Sequence, residues 1–182
     1  NMSEKTKRVR CYIQNDESIS NNLQAHHFDA IHWKDKPGFS HIDGGRGGSV
    51  KIIIDGQVAM LRQYLRGGFI SRFLNDQYLW LGKHKTRPWR EWSILQQART
   101  AGLPVPKPLG FCVSRTSFYY RATLMTNFFE DTETLAESLM RNTLPRESWV
   151  ILGRLLKRFQ VNGFRHADLN ANNILIDNQG QF

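Results

Sequence analysis

The stretch His166-Ala167-Asp168-Leu169-Asn170-Ala171-Asn172-Asn173 runs straight into Ile174-Leu175-Ile176-Asp177. The pattern is H-x-D-x-x-x-x-N with an apolar, β-type run directly behind it. One loop therefore carries an acid and an amide five residues apart, and the strand behind anchors both. Upstream parts follow in order. Gly44-Gly45-Arg46-Gly47-Gly48-Ser49 precedes the apolar run Val50 to Ile54, Asp55-Gly56 reads as a tight hairpin turn, and Val58 to Arg62 reads as the returning strand. Glycines let a loop bring its N–H groups close to phosphate oxygens without Cβ clashes. Alone, this cluster reads equally well as a plain flexible loop; before a hairpin, phosphate covering is the better reading.

The third part is Pro88 to Gly102. Pro88 suits a first helical turn, Gly102 a C-terminal stop, and Pro104, Pro106 and Pro108 forbid continuation. The H-x-D-x-x-x-x-N loop resembles the catalytic loop of protein-kinase-like phosphotransferases. The resemblance implies that the aspartate orients an acceptor hydroxyl and takes its proton, while the asparagine turns its amide oxygen toward Mg²⁺. In such a lobe a helix glutamate reaches across to a cation on the strand, and Glu91 fits that role. The alternative is a solvated first-turn glutamate favoured by the helix dipole. Val58 to Arg62 resembles the V-A-I-K strand, with Arg62 where a lysine usually stands. Arginine carries the same charge and grips phosphate in a fork, with a different geometry.

Leu61-Arg62-Gln63-Tyr64-Leu65-Arg66-Gly67-Gly68, Arg87 to Trp92, Ala101 to Pro108 and His166 to Asp177 together resemble the Kdo kinase family, the lipopolysaccharide-core kinases that phosphorylate 3-deoxy-D-manno-octulosonic acid (Kdo) on lipid A. The resemblance runs from about Gly44 to Phe182. It implies an α+β, bilobal protein-kinase-like fold, with residues 1–126 a small β-rich lobe and 127–182 the start of an incomplete helical lobe. It implies ATP and Mg²⁺ as cofactors and the 4-OH of Kdo as acceptor. By motif position, Asp168 is the base and Asn173 the metal ligand. Arg62 and the glycines Gly44, Gly45, Gly47 and Gly48 attend the nucleotide phosphates, and Glu91 partners Arg62. The implied location is the cytoplasmic side of the bacterial inner membrane, as a peripheral protein.

Kinase-like enzymes carry a D-F-G or D-F-D aspartate on the hairpin after the catalytic loop. Here Asn178-Gln179-Gly180 reads as the turn and Gln181-Phe182 as the start of the next strand. The expectation is an N-terminal portion of a longer protein, inactive by itself for want of that aspartate. The alternative is a short binding protein or pseudokinase.

The net charge of +9 is uneven: Arg62, Arg66, Arg72, Lys83, Lys85, Arg87 and Arg90 stand against the single acid Asp76, with Tyr64, Phe69, Phe73, Tyr78, Trp80 and Trp89 interleaved. Arg66, Arg72, Lys83, Lys85 and Arg87 are read as a face for an anionic membrane or the anionic substrate. Single-stranded nucleic acid is a second reading, and a core of aromatics with merely solvated charges a third. A lipid A substrate favours the membrane, so no nucleic-acid partner is expected. The segment is wrong for a kinase-like aminoglycoside phosphotransferase, whose polycationic substrate needs an acidic groove. A non-catalytic membrane or nucleic-acid binder is the remaining class.

No apolar run approaches the roughly 18 residues needed to span a bilayer. Cys11 and Cys112 have no metal or redox spacing, which suits a reducing compartment. Arg8 to Ile13 reads as a strand, Leu23 to Trp33 as a helix or irregular packing, and Phe111 to Arg115 and Phe118 to Met125 as strands. Met125 to Phe128 falls where a kinase hinge meets adenine. Leu135 to Arg141 reads as a short helix. Pro145 opens a longer one to about Asn162, with Ile151, Leu152, Leu155, Leu156 and Phe159 as its buried stripe. His26, His27, His32 and His41 show no metal-site spacing, and adjacent histidines on a helix do not face each other; they read as surface or core residues.

Overall fold

The computed structural model describes residues 10–19, 23–42, 48–64, 78–141, 144–165 and 169–182. The chain is α+β and divides into two compact units, Asn1–Gln96 with Pro106–Phe128, and Gln97–Val105 with Phe129–Phe182.

The first unit is built on one sheet of β1 (Arg10–Asn15), β2 (Ser40–His41), β3 (Ser49–Ile54), β4 (Gln57–Gln63), β5 (Tyr78–Leu79), β6 (Pro108–Thr116) and β7 (Tyr119–Asn127). The order is β1-β6-β7-β4-β3-β2, with β5 also on β7, and every pairing is antiparallel. The β3–β4 hairpin closes on Asp55 (φ 49°) and Gly56 (φ 72°). Both residues are left-handed, as a primed two-residue turn requires, and its twist matches the flanking strands. That turn sets the register, pairing Ile52 with Ala59 and Ser49 with Arg62. Alternation then sends Val50, Ile52, Ile54, Ala59 and Leu61 inward while Ile53 stays exposed.

Two apolar clusters hold the sheet. One joins Val50, Ile52, Leu61, Leu109 and Met125 to Phe28 and Trp33; the other packs Phe111, Val113, Tyr120 and Leu124 against Trp89, Trp92 and Leu95. Those last three lie on α2 (Arg87–Thr100), and the Trp89 and Trp92 rings meet Phe111 edge-on at 5.9 and 5.7 Å. Such edge-to-face pairs add about 0.5–1.5 kcal/mol beyond area burial. Cys112, between Phe111 and Val113, belongs to the first cluster, as a two-residue period dictates. At the register shift between Pro108 and Gly110, a Cβ on Gly110 would lie 3.0 Å from the Gln14 carbonyl oxygen and 3.2 Å from Phe28. Any larger residue here would push β1 or Phe28 back by a few tenths of an ångström. The segment read as a helix or irregular packing over 23–33 forms a 3-10 turn, Ala25–Phe28, and α1 (Ala30–Trp33), parted at Asp29, whose carboxylate caps the Ile31 N–H at 3.0 Å.

The second unit holds β8 (Thr132–Thr134) paired with β9 (Leu175–Asp177), α3 (Leu135–Met140) and α4 (Arg146–Val161). Thr134 and Glu137 close a capping box that starts α3, and Pro145 stands at the N-cap of α4. Leu135, Leu152 and Ile176 form the core, with Leu156, Ile174 and Phe182 packed on it. Two expectations need correction. Ile151 was expected in the buried stripe of α4 but is 39% exposed. It lies about 100° around the helix from Leu152, so the two cannot share one narrow core line. Gln181-Phe182 was expected to begin a strand and does not; instead the Asp177 N–H donates to the Gln181 carbonyl at 3.0 Å around the Asn178-Gln179-Gly180 turn, and the Gln181 N–H donates to Asp177 Oδ1 at 2.8 Å.

Candidate phosphate-binding and catalytic-loop site

Strand β4 presents Arg62, and Tyr64, one residue past its end and still bonded through its N–H to the Ala122 carbonyl, follows two residues on, hence on the same face. Helix α2 presents Glu91 toward that face. The Arg62 guanidinium forms an ion pair with Glu91 Oε1, and the Tyr64 hydroxyl donates to Glu91 Oε2 at 2.6 Å. One carboxylate therefore binds two partners, one with each oxygen. The Arg62 guanidinium also lies over the Tyr64 ring, 5.4 Å from its centroid, within cation–π range. The pairing of Ser49 with Arg62, and a bond from the Gln63 N–H to the Gly48 carbonyl at 3.0 Å, set the Arg62 backbone directly beside Gly48 and Ser49.

The electrostatics follow from this packing. Burial works against the Arg62 charge, but Glu91 and Tyr64 beside it more than offset that, and its pKa stands above the ordinary value. Burial, then the Glu91 carboxylate, pushes the Tyr64 phenol well above its usual range, so it remains a proton donor. Arg62 Nε is buried and has no hydrogen-bond partner among the described residues. A buried cationic donor without a partner is costly, and an anionic oxygen of a nucleotide phosphate is the group that would satisfy it.

In the second unit, Asn170 caps the 3-10 turn Ala171–Asn173 by accepting from the Asn172 N–H at 2.9 Å. That turn sets Asn173, exposed, at its C-terminal end, just before β9. Its amide supplies a hard oxygen donor, the kind Mg²⁺ takes while keeping several waters. That amide would supply one ligand of the octahedral set such an ion needs. Asp168 lies outside the described residues, as do Gly44, Gly45, Gly47, Arg66 and Arg72. Of the basic face, Lys83 lies 4.9 Å from the Trp89 ring centroid and Arg87 4.8 Å from that of Tyr78, while Lys85 is exposed. Tyr78 is buried and Trp89 packs with it, so these aromatics are core on one side and cation platforms on the other. Among the described residues no helix is long and apolar enough to cross a membrane.

Sequence reasoning read Tyr64 as one of the aromatics interleaved with the basic residues and not as a partner of Glu91. The signal was available: a polar aromatic two residues beyond Arg62 on a strand must share its face.

An antiparallel sheet with a glycine-fronted hairpin, a strand arginine held by a helix glutamate, and an asparagine-ended loop before a short strand define a kinase-like class of protein. The family model for lipopolysaccharide kinase (Kdo/WaaP) matches residues 33–182. The chain belongs to that family. A relative named 3-deoxy-D-manno-octulosonic acid kinase, from Xylella fastidiosa (strain 9a5c), is 40% identical over 139 residues, covering 76% of this chain and 55% of the relative. Relatives of the same name from Xanthomonas campestris pv. campestris (strain B100) and Xanthomonas axonopodis pv. citri (strain 306) are also 40% identical, over 140 and 139 residues, covering 76% and 75% of this chain and 55% of each relative. The chain spans about half the length of the curated relatives it matches.

Proposed function

We propose that the protein carrying this chain transfers the γ-phosphoryl group of ATP to a hydroxyl of a Kdo sugar, the 4-OH, on a lipid A precursor, in lipopolysaccharide core biosynthesis. The observation that carries the reading is the Arg62–Glu91 pair with its Tyr64 buttress. A fixed guanidinium in the hairpin that follows the glycine run in sequence suits nucleotide phosphates, and its buried Nε lacks a partner among the described residues. Residues 1–126 and 127–182 serve as the two lobes.

In this reading Gly44, Gly45, Gly47 and Gly48 let backbone N–H groups approach the phosphates, and Arg62 neutralises them. Glu91 fixes the guanidinium so that little rotamer entropy is lost when ATP binds. Asp168 orients the sugar hydroxyl and takes its proton as the oxygen attacks the γ-phosphorus. The bond from that phosphorus to the ADP oxygen then breaks. Asn173 helps to hold Mg²⁺, which supplies neutralisation of the phosphate charge. Arg66, Arg72, Lys83, Lys85 and Arg87 form a face for the anionic glycolipid and the anionic membrane surface, on the cytoplasmic side of the inner membrane. Because the chain covers about half of its relatives' length, the activity is proposed for the protein that carries it and not for these 182 residues alone.

The test is product analysis. The intact protein is incubated with ATP, Mg²⁺ and Kdo-lipid A, and the product is read by mass spectrometry and by ³¹P NMR for the substituted carbon. A monophosphate ester on C4 of Kdo is expected. A phosphate elsewhere corrects the acceptor, and ADP release without a phosphorylated sugar overturns the proposal.

A further inference from the structure

Three histidines read from the sequence as scattered surface or core residues come together in space. His26 and His27 lie on the 3-10 turn Ala25–Phe28 and His32 lies on α1. The adjacent pair was expected to face apart, as on an α-helix. Instead the His26 and His27 rings lean together, 4.0 Å apart between centroids. His26 and His32 lie 4.5 Å apart and His27 and His32 5.4 Å apart. One ring nitrogen from each residue lies within 4.8 Å of the other two.

The backbone beneath is held firmly. Phe28 and Trp33, which flank the cluster in sequence, are buried in the sheet core, and the Trp33 indole N–H donates to the His27 carbonyl at 2.8 Å. His26 is exposed and His27 and His32 are half-buried, so the rings open to solvent on one side. All three precede Trp33, where the family match begins. The cluster therefore lies outside the segment that carries the proposed phosphoryl transfer.

We propose that His26, His27 and His32 form a binding site for a divalent first-row transition metal of the Zn²⁺ class, with a fourth position left to water. Imidazole nitrogen suits Zn²⁺ and its neighbours in the series, whereas Mg²⁺ and Ca²⁺ take oxygen. Tetrahedral Zn–N bonds of about 2.0–2.1 Å need ligand nitrogens about 3.3 Å apart. Side-chain rotation from the present spacing closes that gap without moving the turn. Two contacts give way on loading. The Gln24 N–H donates to His27 Nδ1 at 2.9 Å, and Lys36 Nζ lies 2.5 Å from His32 Nε2. Gln24 and Lys36 are both exposed, so water can replace the imidazole at the Gln24 backbone N–H and the Lys36 ammonium can swing away.

The Lys36 contact gives the proposal a distinctive signature, because its ammonium competes with the metal. The experiment is equilibrium dialysis of the intact, untagged protein against Zn²⁺ alone. One ion per chain is expected. Loss even of groups that merely orient a ligand costs metal affinity about 10–100-fold, so His26→Gln, His27→Gln and His32→Gln should each weaken binding at least tenfold. Lys36→Gln should tighten it, and His41→Gln, on β2, should leave it unchanged. Co²⁺ added to the unaltered protein should give visible ligand-field bands, a readout that needs no variant to fold. Absence of both the bands and a saturable equivalent of Zn²⁺, or binding that survives the triple variant, overturns the proposal.

Discussion

Replacing Tyr64 with phenylalanine and Glu91 with glutamine, singly and together, tests the network that joins strand β4 to helix α2. The Tyr64–Glu91 bond is a short O–H···O⁻ contact of 2.6 Å, in the range of charge-assisted bonds. Hydrogen bonds to charged groups contribute roughly 1.5–3 kcal/mol. The Glu91 side chain keeps 35% of its surface exposed, so water can replace the lost donor, and Tyr64→Phe should cost only about 1 kcal/mol. Glu91→Gln is worse, because it removes the carboxylate that offsets the Arg62 charge and leaves the buried Nε without compensation. Breaking a fully buried pair costs about 3–5 kcal/mol and an exposed one about 0.2–1. With side-chain exposures of 40% and 35%, this pair lies between, at about 2 kcal/mol. Both substitutions remove the same charge-assisted hydrogen bond, so the double variant should cost about 2 rather than 3 kcal/mol, a coupling of about 1 kcal/mol. Urea unfolding of the four proteins at neutral pH measures each value. Strict additivity would refute the argument, because it would mean that Tyr64 and Glu91 do not share a bond in solution.

Other outcomes follow from single features. Neutralising Lys83, Lys85 and Arg87 together should weaken binding to anionic vesicles about a hundredfold, at about 1 kcal/mol per basic residue; unchanged co-sedimentation would mean that these charges are simply solvated. Burial works against the Asp16 charge, but bonds from Lys107 and Ser18 outweigh it and lower its pKa to about 2. A depressed carboxylate stabilises the fold above its unfolded pKa, so this contribution, about 1 kcal/mol after solvent screening, should fade between about pH 4 and pH 2. Lys107→Met should flatten that part of the stability–pH curve, and an unaltered slope would count against the pair. Burial pushes the Cys112 thiol up to about 11. A thiol reagent at pH 8 should therefore modify exposed Cys11 quickly and Cys112 only at the rate of unfolding, and equal rates would contradict the packing.

The most legible parts of the sequence were those where a local rule leaves no choice. Asp55-Gly56 between two alternating apolar runs dictated the β3–β4 hairpin, and with it the register that sets Arg62 opposite Ser49. Pro88 and Gly102 bracketed α2 to within a residue or two, and the resemblance to kinase-like lobes then implied the contact between Glu91 and Arg62. Less was legible where structure depends on distant partners. Strand β1 gains its place by pairing with β6, about 100 residues away in sequence, and nothing in Arg10–Asn15 names that partner. The 3-10 turn at Ala25–Phe28 escaped because short turns lack the periodicity that marks an α-helix, and the histidine cluster escaped with it. Tyr64 was missed for another reason: the two-residue period was applied to apolar residues and not to the polar face beside them.

Asp168→Ala gives the most direct measurement of the central claim. The intact protein and the variant are assayed side by side with γ-labelled ATP and Kdo-lipid A, and label in the glycolipid is counted. A general base contributes roughly 10²–10⁴-fold to turnover, so the variant should lose at least about two orders of magnitude while its unfolding curve stays close to that of the parent. Full incorporation by the Asp168→Ala protein would contradict the proposed mechanism, and no incorporation by the parent would contradict the proposed reaction itself.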